Sequence, residues 1–150
     1  MKGLMEDKKV CKKCGGYCCK QYPGAIDPAD LGKNKKEIQA RLVEMLRGNY
    51  IFDYWEGSFK RRKHTSYFLR PKVDNEVGTY SRVHGSWGGP CAFLTPSGCE
   101  LPYEDRPRNC RELIPNPNYP EGKCKKGYDK EDSLTDWYKY RKMIKELIGR

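Results

Sequence analysis

The chain has 150 residues, 37% hydrophobic and 33% charged, which is enough for one modest core and unlike the composition of a disordered chain. Thirty Lys and Arg against twenty Asp and Glu leave a formal charge of +10, a balance that favours anionic partners without specifying a fold. No apolar run approaches the roughly 20 residues that cross a bilayer, which excludes an integral membrane protein, and Met1 to Lys9 lacks the apolar stretch of a signal peptide. A soluble, cytoplasmic protein is expected.

Residues 1–10 read as a flexible charged tail on a single domain spanning 1–150. Cys11 to Cys19 form a glycine-containing loop. Asp27 followed by Pro28 predicts a capped helical turn. Asn34, with Glu37 three residues on, opens a stronger helix that carries Ile38, Leu42, Met45 and Leu46 on one face and closes at Gly48. From Tyr50 to about Val83 the period changes to two. Tyr50–Trp55 and Thr65–Leu69 are rich in aromatic and β-branched residues, with Asp74–Gly78 as punctuation, and predict a small antiparallel meander or a pair of hairpins. Residues 84–124 are dominated by Gly, Pro and Cys, and predict an irregular stretch that needs an external constraint. Ser133 to Ile148 predicts one further helix, with Leu134, Trp137, Tyr138, Ile144, Leu147 and Ile148 on or near one face and lysines towards its end. The fold class is α+β: a small irregular domain with cysteine-rich loops organised by metal, two main helices and a small antiparallel sheet.

Eight cysteines stand at positions 11, 14, 18, 19, 91, 99, 110 and 124. In a reducing compartment such clusters bind metal more often than they form disulfides, and adjacent cysteines such as Cys18 and Cys19 seldom bridge each other without strain. Cys11 and Cys14 have the spacing at which one tight turn brings two thiolates to a single ion. Gly15 and Gly16 behind them let the backbone curl and aim N–H groups at sulfur. Cys18 and Cys19 point apart in an extended chain, so one of them goes to the first ion and the other to a second ion or to the core.

Downstream come Cys91-Ala92-Phe93-Leu94, then Gly98-Cys99-Glu100-Leu101, then Arg106-Pro107-Arg108-Asn109-Cys110-Arg111. In that order, behind a Cys-x-x-Cys and a Cys-Cys pair, these motifs resemble the YkgJ-type cysteine-cluster family, CxxCxxCC, described as zinc- or iron-chelating. The resemblance implies a metal site built from Cys11, Cys14, Cys18, Cys19, Cys91, Cys99 and Cys110. This chain departs from the family pattern in one place, with three residues, Gly15-Gly16-Tyr17, between Cys14 and the Cys-Cys pair where the pattern has two. Cys124 lies outside the motif, either completing an even set or standing as a lysine-flanked surface thiol.

Soft thiolates suit both zinc and iron. Zinc is the favoured cofactor, because it staples loop-rich domains without assembly machinery. Iron, or an iron–sulfur cluster, is the alternative, and would make the chain a metal-dependent enzyme of unknown substrate. A third reading is a zinc-stabilised nucleic-acid-binding module, in which Lys60–Lys63 track phosphates while Tyr50, Tyr54 or Trp55 stack on bases. Nucleic acid is the less favoured partner, because that basic run is short, no recognised nucleic-acid motif accompanies it, and it reads more simply as a solvated strand face. His84 is a conceivable extra ligand seven residues before Cys91, but reads more simply as a strand-end side chain, and His64 belongs to the basic run. Glu100, Glu104 and Asp105 are acids that can supply an oxygen ligand or a general base if the metal is catalytic. The expected function is thiolate metal binding with a structural or metal-handling role.

Overall fold

The computed structural model describes residues 24–55, 65–82, 90–96, 98–112 and 127–149. Asp27 caps the short 3-10 turn Pro28–Asp30 by accepting a hydrogen bond from the Ala29 N–H at 2.9 Å. Helix α1 (Lys35–Leu46) opens where the Asn34 side chain accepts from the Glu37 N–H at 3.0 Å. The Glu37 carboxylate reaches past the cap to the Lys33 N–H at 3.0 Å, which ties the chain entering the helix to its first turn. Ile38, Leu42 and Leu46 form its buried face, as helical spacing requires.

Three strands follow: β1 (Tyr50–Trp55), β2 (Ser66–Pro71) and β3 (Tyr80–Arg82). The expected antiparallel sheet is instead mixed. β1 is central, antiparallel to β2 with Phe52 opposite Leu69, and parallel to β3 with Phe52 opposite Tyr80. Two features send β3 to that side. Ile26 already occupies the outer edge of β2, its N–H donating to the Leu69 carbonyl at 3.0 Å. The connection 72–79 then folds back across the start of β1, with the Lys72 N–H on the Asn49 carbonyl and the Phe52 N–H on the Thr79 carbonyl. Asn75 and Gly78 take positive φ of 66° and 97° to make that crossing, conformations that Asn and Gly adopt most readily.

The stretch expected to lack regular structure carries short pieces of it. β4 (Leu94–Thr95) and β5 (Gly98–Cys99) pair as a two-stranded ribbon. A 3-10 turn at Tyr103–Asp105 precedes helix α2 (Arg108–Arg111). Pro102 and Pro107 stand immediately before these two turns, where a missing N–H is harmless and a fixed φ helps.

The C-terminal helix begins earlier than the sequence predicts and is divided. α3 (Lys130–Trp137) starts at a capping box in which the side chains of Asp129 and Asp132 each accept the other's backbone N–H. A tighter 3-10 turn, Tyr138–Tyr140, links it to α4 (Arg141–Ile148), which Gly149 ends at φ 71°. The turn sets Tyr140 edge-on to Trp137 at 6.0 Å between ring centres. Met143, Ile144 and Ile148 return to the core beyond it. Trp137 meets Phe52 of β1 edge-on at 5.3 Å. Its indole N–H shares the Ile26 carbonyl with the Ser133 hydroxyl, both at 2.8 Å. Residues of α1, the sheet and α3–α4 thereby join one apolar cluster.

Candidate metal centre

Cys91 enters the fold through its backbone. It forms a bridge opposite Val73, flanked by the Asp74 N–H on the Pro90 carbonyl at 3.0 Å and the Ala92 N–H on the Lys72 carbonyl at 2.8 Å. The chain turns at once, with the Leu94 N–H on the Cys91 carbonyl at 3.0 Å, into β4, and β5 returns with Cys99 opposite Leu94. Two thiols eight positions apart therefore come within electrostatic reach of each other. Burial pushes the Cys91 thiol up to about 11, and Cys99 and Asp74 add to the rise against the Phe93 N–H that is hydrogen-bonded to its sulfur. A thiol pair with a main-chain N–H aimed at sulfur is a donor set that fits a soft cation.

Tyr50, the first residue of β1, stands beside this loop. Its ring centre lies 5.4 Å from that of Phe93. Burial pushes its phenol up to about 12; Cys91 adds to the rise, Arg41 opposes it, and Asp105 and Cys99 add further. The sequence offers Tyr50 only as a strand aromatic and a candidate base-stacking ring, because nothing within its own segment points to the cysteines.

Cys110 stands apart from the other two, on α2. A methyl group placed on Gly24 would lie 2.4 Å from the Cys110 sulfur, so the chain leaving the N-terminal cysteine segment runs directly against this thiol. Asn109 fixes that approach. Its N–H donates to the Ala25 carbonyl at 3.2 Å, its side-chain oxygen accepts from the Ala25 N–H at 3.4 Å, and its amide donates to the Tyr128 carbonyl at 2.6 Å. The arginines beside it extend the tie. Arg108 pairs with Asp27 at 2.7 Å and with Glu112, and its guanidinium lies 4.6 Å from the centre of the Tyr128 ring. Arg111 pairs with Asp30. The Arg106 Nε donates to the Leu101 carbonyl at 3.0 Å, which pins the turn that carries the Arg-Pro motif. An open polar cleft of about 370 Å³ lies between α2 and α3, lined by Arg108, Glu112, Tyr128 and Asp136 among others; no cysteine lines it.

Cys11, Cys14, Cys18, Cys19 and Cys124 lie outside the described residues, as do His64, His84 and Lys60–Lys63. Among the described residues no three His, Cys, Asp or Glu side chains converge as a metal-holding group. Cys91 and Cys99 are brought near each other, and Cys110 does not complete a trio with them. Glu100, Glu104 and Asp105 are exposed. Tyr54, one of the rings considered for stacking on bases, is 6% exposed and part of the core, which removes it as a platform. No helix among the described residues is long and apolar enough to cross a membrane.

The sequence reading missed a buried ionic network on the face of β1 and β2 opposite Phe52. Arg70 is 2% exposed and Asp53 is fully buried. Arg70 binds Asp53 through Nε and Nη2, Glu76 through Nη1 and Nη2, and the Pro71 carbonyl through Nη1. All five of its N–H donors are used. Glu76 also accepts from the Val73 N–H at 3.0 Å, so the network ends one backbone pairing away from Cys91. A lone charge in each of two aromatic strands is the signal that was available for it.

A family model, CxxCxxCC, described as "Putative zinc- or iron-chelating domain", matches residues 10–133. No curated protein and no solved structure matches the chain.

Proposed function

The chain belongs to the CxxCxxCC family of zinc- or iron-chelating domains, and from that membership we propose that it holds zinc in a closed thiolate site with a structural or metal-handling role. The ligands are drawn from Cys11, Cys14, Cys18, Cys19, Cys91, Cys99 and Cys110. The observation that carries the reading is the approach of Cys91 and Cys99 across the β4–β5 ribbon, with the Phe93 N–H on the Cys91 sulfur. Elements of two and four residues hold too few backbone bonds to fix residues 90–112 by themselves. A bound zinc ion supplies the missing constraint, drawing the Cys91 thiol into the thiolate form that its burial disfavours.

The position of Gly24 beside Cys110 supports the participation of the N-terminal cysteines. Five residues lead from Cys19 to Gly24, a tether of at most about 18 Å. The first cluster is thus leashed to the second by the fold of residues 24–26.

The deciding experiment is anaerobic purification of the untagged protein, with elemental analysis and a visible spectrum on the same sample. Near-stoichiometric zinc in a colourless sample is expected. Cys99→Ser and Cys110→Ser should each lower the metal content and the melting temperature, because a structural zinc site contributes on the order of 10 kcal/mol to folding. Iron with acid-labile sulfide and a broad visible band overturns the zinc reading in favour of an iron–sulfur centre. Cysteine variants that keep full metal content overturn the ligand assignment.

A further inference from the structure

We infer that Glu76 is a positioning residue of the thiolate site: held by Arg70, its carboxylate fixes the Val73 N–H, and with it the backbone segment on which Cys91 lies. The inference rests on the zinc-thiolate reading and extends it to a residue outside every cysteine motif.

The direction in which a cysteine leaves the backbone is set by the two peptide planes that meet at its Cα. At Cys91 both planes are tied to one segment. The Pro90 carbonyl accepts from the Asp74 N–H at 3.0 Å, and the Ala92 N–H donates to the Lys72 carbonyl at 2.8 Å, with Val73 opposite Cys91. The Cα–Cβ bond of Cys91 therefore moves with residues 72–74. Two N–H groups tie that segment back to the sheet: Lys72 on the Asn49 carbonyl at 2.8 Å, and Val73 on Glu76 Oε1 at 3.0 Å. Of these two bonds only the second depends on a side chain. Glu76 can supply it because its carboxylate is not free to swing. Arg70 grips both oxygens, at 2.8 and 3.0 Å, and is itself anchored to Asp53 on β1 and to the Pro71 carbonyl. The Glu76 N–H closes the turn on the Val73 carbonyl at 3.1 Å, so residues 70–76 form one braced loop. A ligand already aimed before the metal arrives loses less freedom on binding. Holding a ligand's orientation is also how groups outside the ligand set tune metal affinity.

The test titrates the whole chain with cobalt(II) as a spectroscopic probe and compares wild type, Glu76→Ala, Glu76→Gln and Cys91→Ser. Ile144→Val, a small cavity in the core on α4, controls for lost stability alone. Glu76→Ala is expected to weaken cobalt binding about 10-fold and to shift the sulfur-to-cobalt absorption of the loaded protein. Glu76→Gln gives up the charge but keeps an oxygen for the Val73 N–H, so it should lose stability and still bind cobalt with the wild-type affinity and spectrum. Ile144→Val should likewise lose stability and leave the spectrum unchanged. Wild-type affinity and spectrum in Glu76→Ala, with Cys91→Ser losing the metal, overturns the role of Glu76 alone. A Glu76→Gln or Ile144→Val chain that shifts as Glu76→Ala does overturns it too, because lost stability then accounts for the change. Cobalt binding that survives Cys91→Ser undiminished overturns the thiolate reading beneath it. Should Glu76→Ala not fold, Glu76→Asp decides: it keeps the charge and draws the carboxylate back by one methylene, and an unchanged spectrum there overturns the inference.

Discussion

Arg70 on β2 grips Asp53 on β1 with a two-point ion pair, Nε to Oδ2 at 2.7 Å and Nη2 to Oδ1 at 3.0 Å, and both side chains are shut away from water. Breaking such a pair from one side leaves a buried charge without compensation, which costs about 3–5 kcal/mol. Arg70→Met should therefore destabilise the protein by that amount in urea denaturation. Adding Asp53→Leu to the same chain should recover most of the loss, since the orphaned carboxylate is then gone. A double variant as unstable as the sum of its singles would show that the two residues act independently.

Glu76 gives this network a pH dependence of known sign. Burial works to raise its carboxyl, but the Arg70 guanidinium and the Val73 N–H outweigh it and hold the group below its ordinary value. Asp53 and Lys72 are the other charged groups that act on it. A carboxylate lowered on folding stabilises the native state above its unfolded value of about 4.3, and that contribution is lost as the pH falls through the folded value. Glu76→Gln should thus cost stability at pH 7. The gap between the variant and wild type should narrow steadily below about pH 4.3. A gap of constant size from pH 7 to pH 3 would refute the ionic account.

Gly24 tests the docking of the two cysteine-bearing regions. A methyl group there would lie 2.4 Å from the Cys110 sulfur and 3.3 Å from the Asn109 side-chain oxygen. A cysteine has one rotor with which to yield, and that rotor aims the thiol. Gly24→Ala should lower stability by about 1–3 kcal/mol and reduce metal content with it. In a Cys110→Ala background the same substitution should cost much less. Equal costs in both backgrounds, read from melting curves, would place the clash elsewhere.

Local signals were enough where local physics decides. The cap at Asn34 and the spacing of Ile38, Leu42 and Leu46 predict α1, and the aromatic alternation predicts β1 and β2, because neither needs a distant partner. The parallel pairing of β3 could not be read in this way. Asp74–Gly78 signals a turn, and whether the next strand returns beside β2 or beyond β1 depends on Ile26 occupying the free edge of β2, more than forty residues upstream. The division of the C-terminal helix at Tyr138–Tyr140 likewise follows from how Trp137 and Tyr140 pack. In the candidate centre, the order of the cysteine motifs is legible from the sequence and matches the family. The neighbourhood of Tyr50 is not, because it is created by pairings of Lys72 on both of its sides.

The family match stops at residue 133, yet Ser133 hydrogen-bonds Ile26, and the next four turns of chain bring Leu134, Trp137, Met143, Ile144 and Ile148 into the core. The cysteines that make the domain recognisable and the side chains that keep it folded thus have different frontiers. A chain ended at residue 133 would carry the whole signature and bare the Phe52 ring to water. Any search for partners or metal uptake in a minimal fragment should draw its boundary beyond Ile148, where the apolar surface closes, and not where the likeness ends.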